Sequence, residues 1–121
     1  MQLEAQKYLY DIQRAAGLLI EFTRGRTFAD YAGDAVLRSA VERPFEIIGE
    51  AMAQLARTDE LVAGRITGYQ RVIAFRNVLI HGYSDVDEGL VWNVIESNLP
   101  THVQELETLL EEAEESDVEG A

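Results

Sequence analysis

Arg76 and His81 are the two side chains in this sequence best equipped to act together on a phosphodiester. They lie five residues apart in the segment Arg76 to Tyr83, RNVLIHGY. A guanidinium grips phosphate oxygens with two prongs and offsets the extra charge of the transition state. An imidazole takes a proton from an attacking hydroxyl or returns one to a leaving oxygen. RNA brings its own nucleophile, the 2′-hydroxyl, so neither an activated serine nor a metal-bound water is needed. Taken alone the spacing is also compatible with a plainer arrangement, a helix-capping histidine beside a structural arginine.

Helix geometry limits what one copy of the segment can do. Five residues of ideal helix turn through about 500°, leaving Arg76 and His81 about 140° apart. They converge if the helix ends before His81, which a left-handed cap at Gly82 would allow. They also converge if a second copy of the chain supplies the missing half, as a two-fold dimer would.

The elements that must position these residues read as helices throughout. No stretch alternates over a strand's length, and no Asn-Gly or Asp-Gly hairpin signal occurs. A first helix spans about Leu3 to Thr23, with Leu3, Leu9, Ile12, Ala16, Leu19 and Phe22 near one stripe and Gly25 at its end. Thr27 to Tyr31 reads as a short helical turn. A long second helix, about Asp34 to Arg57, shows a core face of Leu37, Val41, Phe45, Ile48, Met52 and Leu55. Pro44 falls inside it and removes a backbone hydrogen bond, but the stripe keeps its phase, which favours one kinked helix over two. Asp59 to Ala63 reads as a brief helical connection and Gly64 to Gly68 as a loop. A third helix starts near Thr67 and carries Tyr69, Val72, Ile73, Arg76, Leu79 and Ile80. The last begins at Asp85, with Glu88 as a capping-box partner. It runs through Leu90, Val91, Val94, Ile95 and Leu99, kinks or restarts at Pro100, and goes on through Val103, Leu106 and Leu110. The sum is an all-α, four-helix up-and-down bundle with kinked second and last helices.

Composition bounds the function classes. The 121 residues suit one domain, read as residues 1–110 followed by an acidic, frayed tail at 111–121. The net charge of −12 argues against an avid nucleic-acid binder. Much of that acidity is terminal: residues 105–121 hold Glu105, Glu107, Glu111, Glu112, Glu114, Glu115, Asp117 and Glu119 and no base. Lys7 is the one lysine, so contact with RNA would depend on arginines such as Arg24, Arg26, Arg38, Arg43, Arg57, Arg65 and Arg71. The chain contains no cysteine, which excludes disulfides and thiolate metal sites. No apolar run approaches the length of a membrane span and the N-terminus has no export signal, so a cytoplasmic protein is expected. His102, the other histidine, is expected to be exposed and without a partner. Asp85 and Asp87 read as helix caps rather than metal ligands, and Tyr69 and Trp92 as core or dimer contacts.

Taken together, the segments resemble a known family. Arg76-Asn77-Val78-Leu79-Ile80-His81-Gly82-Tyr83 resembles the R-x4-H-x-Y motif of HepT-like ribonuclease toxins in the HEPN superfamily. Glu42-Arg43-Pro44-Phe45-Glu46-Ile47-Ile48-Gly49-Glu50-Ala51 is similar to the family's second-helix signature. Asp85-Val86-Asp87, Val91-Trp92 and Leu99-Pro100 are similar to the segment after the motif, and Tyr8 to Ile12 with Phe22-Thr23 fit its opening. The resemblance covers about residues 8–110.

The resemblance implies a HEPN-like helical homodimer with the motifs at its interface. It implies a metal-independent endoribonuclease, acting on tRNA or mRNA without a cofactor, as the toxin of a type VII-like toxin–antitoxin pair. Arg76 and His81 would be catalytic and Asn77 a supporting hydrogen-bond donor. The partner would be an MNT-type nucleotidyltransferase antitoxin that transfers AMP to Tyr83, blocking the cleft and repelling RNA phosphates. No DNA or membrane partner is implied. The alternative within the same fold is a catalytically inactive helical subunit that binds such a nucleotidyltransferase.

Overall fold

The computed structural model describes residues 1–81 and 86–120, the last four by backbone alone. Among these residues the secondary structure is helical, without a strand. The helices are α1 (Leu3–Thr23), α2 (Phe28–Ala32), α3 (Ala35–Thr58), α4 (Glu60–Ala63), α5 (Tyr69–His81), α6 (Glu88–Asn93) and α7 (Leu99–Gly120). A π-helical turn, Val94–Asn98, joins α6 to α7. The expected all-α bundle is therefore present. α1 and α3 form its centre, α5 leans on α3, and α7 packs against α1.

Local chemistry sets the helix ends. Thr27 and Asp30 form a reciprocal capping box at the start of α2. The Asp34 carboxylate accepts from the Val36 and Leu37 N–H groups and opens α3. Asp59 opens α4 by accepting from Val62 N–H. Gly25, at φ 72°, adopts the left-handed conformation that stops α1.

All six residues of the expected α3 stripe are buried, and α3 is continuous through Pro44. On α1 the stripe is Ala5, Leu9, Ile12, Ala16 and Leu19, whereas Leu3 is 80% exposed. Leu3 stands two residues before Ala5, about 160° round the helix, so it points away from the buried stripe.

Two boundaries differ from the sequence expectation. The third long helix begins at Tyr69 rather than Thr67, because Gly68 takes a positive φ of 65° just before it. The last begins at Glu88, and its expected start, Asp85, lies outside the described residues. Its cap is Asp87, which accepts from Leu90 N–H at 3.1 Å. Downstream, Leu99 N–H bonds to Val94 O, a register one residue longer than the α-helix. This slip immediately precedes Pro100, which has no N–H to continue the ladder.

The loop between α4 and α5 is tied to α7. Glu105 accepts from the backbone N–H and hydroxyl of Thr67, and Arg65 grips Glu112 with both terminal nitrogens. The Arg65 contact holds the Glu112 carboxyl below its ordinary range. His102 is half-buried and its Nε2 lies 2.9 Å from Thr67 O. This corrects its reading as an exposed, partnerless side chain. The contact spans 35 residues of sequence, so no local pattern could have announced it.

Candidate functional site

The site is built on α5, the most exposed of the long helices. Of its thirteen residues only Leu79 is buried, and its main neighbour is α3. The expected apolar positions Tyr69, Val72, Ile73 and Ile80 are half-buried. On one side of α5 lies an apolar groove of about 370 Å³, walled by Val72, Phe75, Val78, Leu90 and Val94, with Val78 48% and Leu90 45% exposed. On another side lies a polar cleft of about 310 Å³ between α1, α3 and α5. Its walls include Lys7, Arg43, Glu46, Glu50, Gln54, Arg76 and Ile80.

Arg76 is half-buried on this cleft, and the way it is seated is specific. Its stem lies across α3 at Gly49, where an added Cβ would come within 2.3 Å of Arg76 Cβ. The missing side chain is what lets α5 approach so closely. Its Nη2 forms an ion pair with Glu50 Oε2 at 3.0 Å. Its Nη1 donates to Asn77 Oδ1 at 3.4 Å, which places Asn77 beside the guanidinium as a hydrogen-bond acceptor. Glu50 accepts from Gln54 Nε2 through its other oxygen, at 3.3 Å.

His81 is the final residue of α5 and is exposed. Because the helix continues to His81, it does not end early enough to swing the imidazole back towards Arg76. The two side chains leave the helix about 140° apart. His81 is accordingly not on the wall of the Arg76 cleft. Within one chain the structure presents these groups on different sides of α5. Gly82, expected as a helix cap, and Tyr83 lie outside the described residues.

Sequence reasoning missed Gly49 and Glu50 as contacts of Arg76, and Gln54 as the partner of Glu50. A glycine in mid-helix costs stability and so signals a close approach, and Glu50 and Gln54 stand at the i,i+4 spacing of facing residues. Neither signal says which helix approaches.

Glu42, Glu46 and Glu50 follow one another at four-residue intervals along α3. Burial pushes the Glu42 carboxyl up, Glu46 adds to the rise, and Arg38 opposes it. A carboxylate whose folded pKa is raised costs stability as pH rises through that range, and costs nothing once pH is below its unfolded value. Glu42→Gln is therefore expected to raise Tm at pH 7. The gain should vanish below about pH 4, and thermal melts across that interval check the sign.

Among the described residues, no helix is long and apolar enough to cross a membrane, and no group of three His, Asp or Glu side chains is placed to share a metal ion. The chain is thus an all-helical bundle that carries Arg76 within α5 and His81 at its end. The chain matches the family model described as Ribonuclease HepT-like over residues 12–111, and it belongs to that family. It is 33% identical over 101 residues to the "Probable ribonuclease HepT" of Thermococcus cleftensis, covering 84% of this chain and 91% of the relative. It is 31% identical over 104 residues to "Putative RNase MJ1380" of Methanocaldococcus jannaschii, covering 86% and 94%. No solved structure matches it significantly.

Proposed function

We propose that this protein is an endoribonuclease toxin that cleaves RNA without a metal, in a site assembled between two copies of the chain. The observation that carries the reading is the course of α5 through His81, in a chain of the HepT-like ribonuclease family. Arg76 and His81 point away from each other in one copy, so a second copy must supply the complement. The apolar groove beside α5, with half-exposed Val78 and Leu90, is suited to receive that copy.

In the proposed reaction His81 removes the proton from a ribose 2′-hydroxyl. The 2′-oxygen attacks phosphorus, the P–O5′ bond breaks, and the departing 5′-oxygen takes back the proton held by the imidazole. Arg76 binds the non-bridging oxygens as their charge grows. The products are a 2′,3′-cyclic phosphate and a 5′-hydroxyl. The acidic surface favours a narrow contact with RNA over avid general binding. The family resemblance supports a nucleotidyltransferase antitoxin that adds AMP to Tyr83, and intact mass of the chain co-produced with such a partner tests that step.

Purified protein incubated with tRNA and mRNA in EDTA is expected to yield fragments ending in cyclic phosphate. Loss of cleavage in EDTA, restored by a divalent ion, would refute metal independence. A tight complex with a nucleotidyltransferase and no cleavage of any RNA would instead favour the inactive binding subunit.

A further inference from the structure

We infer that Glu50, oriented by Gln54, is a positioning residue that fixes the Arg76 guanidinium in the pose from which it binds phosphate. The inference rests on the proposed ribonuclease activity for its purpose, but its physical basis is independent. Arginine has many rotamers, and a side chain that receives a phosphate must be held before the phosphate arrives or lose that entropy on binding. Three contacts confine Arg76. Gly49 receives the stem, Asn77 takes one N–H of the five, and Glu50 supplies the charge opposite Nη2.

Glu50 would be a poor anchor if its own carboxylate turned freely. Both of its oxygens are engaged: Gln54 Nε2 donates to Oε1 while Oε2 faces Arg76. The two oxygens therefore have different partners, and the line Gln54, Glu50, Arg76, Asn77 crosses from α3 to α5. Glu50 and Gln54 both lie on α3, anchored at the centre of the bundle, which lends rigidity to a residue on the more exposed α5.

The pair contributes little to stability, because the Arg76 and Glu50 side chains remain 30% and 52% exposed. Removing Glu50 should consequently change the pose of Arg76 and leave the fold intact. It also removes a carboxylate that competes with RNA phosphate. Glu50→Ala is expected to lower kcat about 10-fold or more without raising KM. Glu50→Gln keeps an oxygen acceptor of the same shape and is expected to hold kcat within about 3-fold of the wild type. A purely structural role would lower Tm and affect both variants alike.

The test pairs these kinetics with 15N NMR of the Arg76 guanidinium. In the wild type, rotation about Nε–Cζ should be slow. In Glu50→Ala it should be fast, and in Glu50→Gln intermediate. Wild-type kcat in Glu50→Ala, equal losses in the two variants, or a freely rotating guanidinium in the wild type would each overturn the inference. If the wild type cleaves no RNA while Glu50→Ala still frees the guanidinium, the ribonuclease reading fails and the positioning role stands.

Discussion

An equal mixture of Arg76→Ala and His81→Ala chains, allowed to exchange subunits, is expected to recover about one quarter of wild-type RNA cleavage. Each variant alone should fall by about 10²- to 10⁴-fold, because one removes phosphate and transition-state binding and the other removes proton transfer. The recovery follows from geometry. α5 is helical through His81, so an intact site would take Arg76 from one chain and His81 from the other. Random exchange makes about half of the dimers mixed, and each mixed dimer keeps one good site of two. Co-production with two different affinity tags isolates the mixed species and should raise the recovery to about one half of wild type. A purified mixed dimer as inactive as either parent would show that each chain holds a complete site. Cleavage unchanged in both single variants would refute the roles proposed for these residues.

Gly49→Ala is expected to destabilise the protein by about 1–3 kcal/mol, the usual cost of forcing an extra group into a packed contact. The opposing effect is helix propensity, which favours alanine over glycine by about 1 kcal/mol. The clash should win because the new Cβ would lie 2.3 Å from Arg76 Cβ, 3.0 Å from Cγ and 3.1 Å from Cδ. A Cβ cannot rotate away as the tip of a flexible side chain can, so α5 must move off α3. Gly17→Ala is the control. Gly17 lies within α1 with nothing inside 4 Å of its would-be Cβ. There alanine is expected to gain about 0.5–1 kcal/mol. Urea titrations of both variants read the opposite signs directly. A Gly49→Ala protein as stable as Gly17→Ala would mean that α3 and α5 do not meet so closely at Arg76. Where Gly49→Ala folds, its cleavage should fall as well, since the displaced stem carries the guanidinium.

The helices were legible in the sequence because their buried faces repeat locally. Leu37, Val41, Phe45, Ile48, Met52 and Leu55 are spaced for one side of a helix, and all six are buried. Pro44 did not break that phase. Arg76 and His81 could likewise be picked out from residue type and order, Asn77 and Tyr83 only through the family resemblance, and the match over residues 12–111 confirms that family. What the sequence left open were the contacts between segments far apart along the chain. His102 was read as exposed because its partner, Thr67 O, lies on another element. Gly49 and Glu50 did not reveal that Arg76 is what they meet, since periodicity marks a side of a helix but not what packs against it. Which of the two routes would bring Arg76 and His81 together was likewise open in the sequence; α5 runs on to His81, and this supports the proposed second copy. Residue type and order placed a guanidinium and an imidazole five residues apart, about 140° apart wherever one helix carries both. Only packing decided that the guanidinium is seated in the notch of α3 at Gly49 while the imidazole stands exposed at the helix end, because that depends on which backbones can approach one another and not on the order of residues along one of them.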